Sequence, residues 1–247
     1  MTAAGAVPLP PLAEVMEATW PPAARRRQGP WCIRDGQGGG KRVSAATAEA
    51  EWRDEDIAGA EQAMWALNQP ALFLIRDQDA MLDQALQSRG YRIVDPVIAY
   101  QAPVAGLCDP APGPMTSFAH WPPLAVCADL WAEGGIGPER RAVMDRAAGP
   151  KCAILARTDD RPAGCAFVAL HGRVAMLHAL EVSPRARRQG SAKNLLRAAA
   201  IWAQAQGADT LSLVVTRANA AARALYVGLG MQEAGHYHYR QEAPGTR

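Results

Sequence analysis

Four cations, Arg185, Arg187, Arg188 and Lys193, surround a single glycine in RARRQGSAKNLL, residues 185–196. Beyond Gly190, Leu195, Leu196, Ala199, Trp202 and Ala203 recur at three- and four-residue spacing as far as Gly207, which predicts an amphipathic helix. A helix start is the positive end of the macrodipole and favours acids, so cations there repel the dipole and one another. The crowding is rational when a polyanion fills the site. The first backbone N–H groups of a helix have no internal partner, a glycine lets a phosphate approach the main chain, and Arg and Lys add charge-assisted bonds. Arg187, Gly190 and Ala192 therefore read as a pyrophosphate turn, with a solvated basic helix end as the plain alternative. Other phosphate loops fit worse: a Walker loop needs GxxxxGK[ST], and a dinucleotide fingerprint needs three glycines after a buried strand. RRRQGPW (25–31) repeats RRQG, but Pro30 and Trp31 lead there into a strand-like segment that offers no free helix amides.

The elements around this turn alternate. Helices are expected over 124–132 and 139–148, and a strand over 151–157. Two strands, 163–170 and 174–182, form a hairpin pair through His171–Gly172, and the helix after Gly190 follows. A β-branched strand (210–216), a short helix (219–229) ending at Gly230 and a last strand (232–240) complete the run. On the 219–229 helix, Ala222, Leu225, Tyr226 and Leu229 make one apolar face, so Tyr226 taken alone is a core tyrosine with its hydroxyl at the rim.

The chain falls into two halves that echo each other. A proline-rich stretch at 102–123 with six prolines reads as a linker. PPLAEVMEATW (10–20) resembles PPLAVCADLW (122–131), and LFLIRDQDAMLDQALQSRGY (72–91) matches the pattern of SLVVTRANAAARALYVGLGM (212–231) at an offset of 140. Asp79 then corresponds to Asn219 as a helix cap, and Gly90 to Gly230 at the helix end. The expected division is 1–105, a linker over 106–123, and 124–247.

LHALEVSPRARRQGSAKNLL followed by NAAARALYVGLGM resembles the GNAT superfamily of acyl-CoA-dependent N-acyltransferases. Val182, Pro184, Arg187, Gly190, Ala192, Asn219, Ala222, Leu225, Tyr226, Gly230 and Met231 fall on the family pattern. Ala192 and Met231 stand where glycine and phenylalanine are commoner. The N-terminal half is similar to a degenerate copy that lacks the phosphate turn and has Leu86 where Tyr226 would stand. The resemblance implies an α/β fold of tandem domains, each a central, mostly antiparallel mixed sheet flanked by helices.

It also implies acetyl-CoA as co-substrate. The backbone amides of Arg188, Gln189, Gly190, Ser191, Ala192 and Lys193 would cradle its pyrophosphate, with Arg187, Arg188 and Lys193 adding charge and Asn219 completing the cofactor-binding set. Free backbone groups at Leu180 and Val182, where the strand splays from its neighbour, would pair with pantetheine and polarise the thioester carbonyl. Tyr226 holds the family's general-acid position for the departing thiolate. An alkylammonium acceptor must first lose a proton, and Glu181 is the candidate base. Strict alternation puts Glu181 on one face with Leu177 and Ala179, where burial would raise its pKa; the alternatives are a salt-bridged strand residue or a water relay. His178 lies on the other face and reads as a satisfied core histidine. His236 and His238 share a face of the last strand, near the acceptor in this fold.

Composition restricts the remaining classes. Net charge is +2, no apolar run approaches a membrane span, and MTAAGAVPLPPL lacks the cationic start of a signal peptide. Nucleic-acid and membrane partners are therefore not expected. Five scattered cysteines without CxxC point to reduced thiols in a cytoplasm and to no metal site. With 23 Arg and three Lys in an alanine-rich chain, a bacterial source is expected. The expected activity is transfer of an acetyl group from acetyl-CoA to a primary amine by direct attack in a ternary complex, in a monomer or homodimer. A non-catalytic acyl-CoA sensor and an unrelated phosphate binder are the competing classes.

Overall fold

The structure is a computed structural model and describes residues 9–243. Most of the stretch on which the signal-peptide reading rests, MTAAGAVPLPPL, lies outside the described residues. The N-terminal half runs α1 (Leu12–Thr19), β1 (Ala24–Gln28), β2 (Trp31–Asp35), β3 (Thr47–Ala48), α2 (Asp56–Trp65), β4 (Leu72–Arg76), α3 (Ala80–Ser88) and β5 (Arg92–Pro103). A short helix α4 (Val104–Leu107) and strand β6 (Ser117–His120) follow, so the proline-rich stretch carries regular structure of its own. The remainder is α5 (Ala125–Glu133), α6 (Pro138–Arg146), β7 (Lys151–Thr158), β8 (Arg161–His171), β9 (Val174–Val182), α7 (Ser191–Ala205), β10 (Thr210–Thr216), α8 (Ala220–Gly228) and β11 (Gln232–Gln241).

The repeat is visible in the element bounds. α3 and α8 begin and end 140 residues apart, as do the first residues of β5 and β11. Their caps differ in chemistry. Asn219 accepts from the Ala222 N–H at 3.1 Å, a true helix cap, whereas the Asp79 carboxylate turns back to the Arg76 N–H (3.0 Å) and guanidinium (2.8 Å). The second RRQG is the end of β1 and its turn into β2, as the Gly-Pro pair requires.

Packing divides the chain differently from its linear order. One compact unit gathers α1, residues 102–135 and residues 147–212; the other gathers residues 20–101, 136–146 and the chain from Leu213 onward. In the first, β6, β7, β8 and β9 are successive antiparallel neighbours, and β10 lies beside β9. Residues 163–169 of β8 are buried without a break, which a strand shows only when both its faces are covered. α7 packs across β6 to β9, and α1 and α5 pack on β8 and β9. His178 is the core histidine expected: it stacks on Phe167 at 6.1 Å and bonds the Thr19 hydroxyl at 2.9 Å.

In the second unit the strand order is β4-β11-β5-β10, with β11 antiparallel to both β4 and β5. The last strand of the C-terminal half thus lies between two strands of the N-terminal half. Trp31 and Ile33, from β2 of the small sheet β1-β2-β3, fill a core there with Phe73, Leu82, Leu86 and Tyr91.

Candidate functional site

The phosphate-type turn lies in the first unit. Val182 ends β9, and Gly190 opens α7 in the left-handed region at φ 87°. Arg188 is also left-handed, at φ 60°, so the chain twists twice before the helix. No side chain caps α7, no acid stands in its first turn, and its first internal bond is Asn194 N–H to Gly190 O at 3.0 Å. The amides of Ser191, Ala192 and Lys193 are therefore left without an intrahelical acceptor. A Cβ on Gly190 would meet nothing within 4 Å, so the approach to these amides is open. Ser191 is buried and its hydroxyl engages Thr158 (2.9 Å) and the Ala186 carbonyl (3.3 Å), which fixes the helix start from inside. Gln189 closes the loop on the Arg185 carbonyl at 3.0 Å.

The cations do different things. Arg188 and Lys193 are exposed and form no ion pair among the described residues. Arg187 instead donates to the Val182 carbonyl at 3.2 Å and reaches the Glu181 carboxylate at 3.5 Å. It ties the end of β9 to the turn.

β9 carries a bulge that sequence alternation missed. His178 pairs with Phe167 and Glu181 with Cys165, so Ala179 and Leu180 together oppose the single residue Ala166. Ala179 sits at φ 50°, uncommon for a residue with a side chain. The extra residue reverses the alternation. Glu181 therefore shares a face with His178 rather than with Leu177 and Ala179, a correction to the expected placement. The bulge lies just before Glu181 in the strand. Trp131, fully buried on α5, donates its indole N–H to the Ala179 carbonyl at 2.8 Å and holds the bulge. Gly134 at the end of α5 gives Glu181 its room, since a Cβ there would lie 2.4 Å from Glu181 Cγ and 2.7 Å from Oε2. The Glu181 side chain is 23% exposed, in part covered and paired with Arg187.

Asn219 and Tyr226 belong to the second unit, on α8. The Asn219 carboxamide oxygen is occupied as the α8 cap. Tyr226 is buried, and desolvation pushes its phenol up to about 12, so it is fully protonated at neutral pH. Its ring lies 5.7 Å from that of Tyr100 on β5. The two histidines of β11 are both engaged: His236 with Glu233 at 3.2 Å, and His238 with Asp83 at 2.7 Å. The Arg240 guanidinium and His238 hold the Asp83 carboxyl below the usual range. Among the described residues no cluster of three metal-ligating side chains exists, and no helix is long and apolar enough to cross a membrane.

Trp131, Gly134 and Tyr100 were not singled out by motif. Trp131 carried a signal of another kind, as the end of the repeated PPLAVCADLW segment.

Comparison with known proteins agrees with this geometry. Residues 124–231 match the Acetyltransferase (GNAT) family. An uncharacterized N-acetyltransferase, YobR, of Bacillus subtilis is 25% identical over 234 residues, spanning 90% of this chain and 94% of that protein. Among solved structures, a GCN5-related N-acetyltransferase from Kribbella flavida superposes with a TM-score of 0.67 at 17% identity, covering 94% of this chain and 95% of that one. A tandem GNAT protein from the clavulanic acid biosynthesis pathway superposes with a TM-score of 0.61 at 13% identity, covering 95% and 88%. The turn at Gly190 and the bulged strand before it both fall inside the segment that matches the GNAT family, and the chain as a whole shares the α/β fold of GNAT acyltransferases, a tandem one among them.

Proposed function

We propose that the protein transfers an acetyl group from acetyl-CoA to a primary amine by direct attack within a ternary complex. The observation that carries this reading is the open, uncapped start of α7 behind left-handed Gly190, ringed by cations and free of acids. Amides at 188–193 hold the pyrophosphate, and Arg188 and Lys193 pair with phosphate oxygens. Arg187 keeps the turn closed on Val182 and lends its remaining N–H groups to the anion. Backbone groups at Leu180 and Val182 take the pantetheine arm and polarise the thioester carbonyl; a bulge is a natural source of such unpaired groups. Glu181 accepts the proton of the acceptor ammonium, directly or through water. The neutral amine adds to the thioester carbonyl, the C–S bond breaks, the thiolate takes a proton from Tyr226, and the surplus N–H proton of the adduct leaves through water as Tyr226 is reprotonated. That assignment rests on the motif and on a phenol that stays protonated at neutral pH. Asn219 contributes by capping the helix that carries Tyr226.

The same proposal makes 124–247 the acetyl-CoA-binding copy and 1–105 its degenerate partner, joined through 106–123. Five free cysteines fit a reducing cytoplasm. Calorimetric titration with acetyl-CoA tests the core of the proposal. Micromolar binding is expected, weaker for dephospho-CoA if the arginines meet the 3′-phosphate, and abolished in Gly190→Trp. Thiol release against a panel of primary amines then reads turnover. Tight binding with no amine-dependent release would identify a sensor instead; unchanged affinity in Gly190→Trp would remove the turn from the site.

A further inference from the structure

The buried phenol on α8 is held from the N-terminal half of the chain. Tyr100, on β5, is fully buried and lies against Tyr226 with ring centroids 5.7 Å apart and planes tilted by 54°. The hydroxyl of Tyr100 is itself clamped. It donates to Glu233 Oε1 at 3.1 Å and accepts from Arg223 Nε at 3.4 Å. Glu233 is bound in turn by His236 at 3.2 Å. Tyr226 has no such clamp: its hydroxyl makes no hydrogen bond among the described residues, so ring packing alone sets its direction.

The repeat supplies an independent view of this position. At the offset of 140, Tyr100 corresponds to Arg240 and Arg223 to Asp83. Arg240 Nε donates to Asp83 Oδ1 at 2.7 Å, and the same guanidinium takes Gln87 Oε1 at 2.9 Å on α3. In both copies, then, this place on the last strand braces the same place on the other copy's helix. In the N-terminal copy an ion pair braces a helix bearing buried Leu86, which has no chemistry to direct. In the C-terminal copy the brace is an aromatic ring laid on Tyr226.

We infer that Tyr100 is a positioning residue: its ring fixes the direction of the Tyr226 phenol, and the Glu233–Arg223 clamp fixes Tyr100. The N-terminal half thereby contributes to the reaction without binding acetyl-CoA. The inference rests on the reading of Tyr226 as general acid, and the test separates the two. Thiol release from acetyl-CoA is measured with the fastest amine of the panel for Tyr100→Leu, Tyr100→Phe, Tyr226→Phe and the double variant Tyr100→Leu with Tyr226→Phe. A misdirected acid lowers kcat by between about 10- and 100-fold in Tyr100→Leu, while the KM for acetyl-CoA stays within about twofold. Tyr100→Phe, which keeps the ring but loses the Glu233–Arg223 clamp, falls between wild type and Tyr100→Leu. In the Tyr226→Phe background Tyr100→Leu adds no further loss, because the group it positions is gone. Multiplicative losses in the double variant, or wild-type kcat in Tyr100→Leu, overturn the positioning role. Wild-type kcat in Tyr226→Phe overturns the acid reading itself.

A second measurement covers a variant that fails to fold and an amine panel that yields no turnover. Glu233→Gln loosens the clamp from the surface without opening a cavity. In protein labelled with 3-fluorotyrosine, the Tyr226 resonance is expected sharp and single in the wild type. It is expected to broaden or split in Glu233→Gln and Tyr100→Leu. A single sharp line in these variants overturns the proposal.

Discussion

Tyr226 and Glu181 illustrate how far a side chain's surroundings decide its use. Tyr226 is a phenol deep enough that desolvation pushes it up to about 12, so it always carries the proton an acid must give. This has a consequence for stability that needs no substrate. A phenol with a folded pKa above its unfolded value of about 10 keeps its proton while the unfolded chain releases one. Its contribution is therefore fully present below pH 10 and is lost as pH rises toward 12, by an amount on the order of 2 kcal/mol. Buried Tyr239 and Tyr91 are raised in the same direction, so the total loss in alkali is larger. Tyr226→Phe isolates its own share. The wild-type denaturant midpoint should fall relative to that of the variant between pH 10 and 12, and parallel curves would contradict the desolvated phenol. At pH 7 the same substitution should cut kcat by about 100-fold or more while acetyl-CoA affinity holds.

At the scale of elements, the bulge in β9 decides what Glu181 can do. Alternation along VAMLHALEV cannot reveal it, because an inserted residue leaves no mark on composition; the signs are the φ of Ala179 and the pairing of β8. Helix α7 was legible for the opposite reason: glycine, following basic residue and apolar period all lie in one continuous stretch of the chain. The phosphate turn, the hairpin β8–β9, and the 140-residue echo of α3 and α8 were likewise legible, being set by local spacing. Glu181's neighbours were not, since Gly134 at the end of α5 and Cys165 on β8 come from elements distant in the chain. Gly134 offers the sharpest handle. Its φ of −84° suits any residue, so Gly134→Ala adds no backbone strain, but the new methyl claims the space of the Glu181 side chain. The carboxylate must swing away, at a stability cost within about 1 kcal/mol because the displaced group is flexible and in part solvated. Turnover should fall by about tenfold or more, with acetyl-CoA affinity unchanged. Combining Gly134→Ala with Glu181→Gln should give no more loss than Glu181→Gln alone. Additive losses would mean that Gly134 acts on something other than Glu181.

For the molecule as a whole, linear order and packing disagree, and the disagreement can be tested. The C-terminal half holds the family match, yet it is not one packed body. Its β11 is hydrogen-bonded on both edges by β4 and β5 of the N-terminal half. Its β8 and β9 are covered by α1, and its buried His178 takes the Thr19 hydroxyl from that helix. In return, α6 packs with the N-terminal elements, where its Val143 fits against Gly39 so closely that a Cβ there would lie 2.6 Å away. Separating the halves at residue 123 would expose strand edges and a set of apolar faces on each fragment, the condition for aggregation rather than for independent folding. Fragments 1–123 and 124–247 expressed singly should be insoluble or should melt without a cooperative transition. Expressed together, with an affinity tag on one fragment alone, they should co-purify and bind acetyl-CoA as the intact chain does. Loss of the covalent link costs association entropy, so the complex should dissociate on dilution although each contact is kept. A monomeric 124–247 fragment that melts cooperatively and binds acetyl-CoA alone would show that the N-terminal strands and α1 are dispensable to the fold.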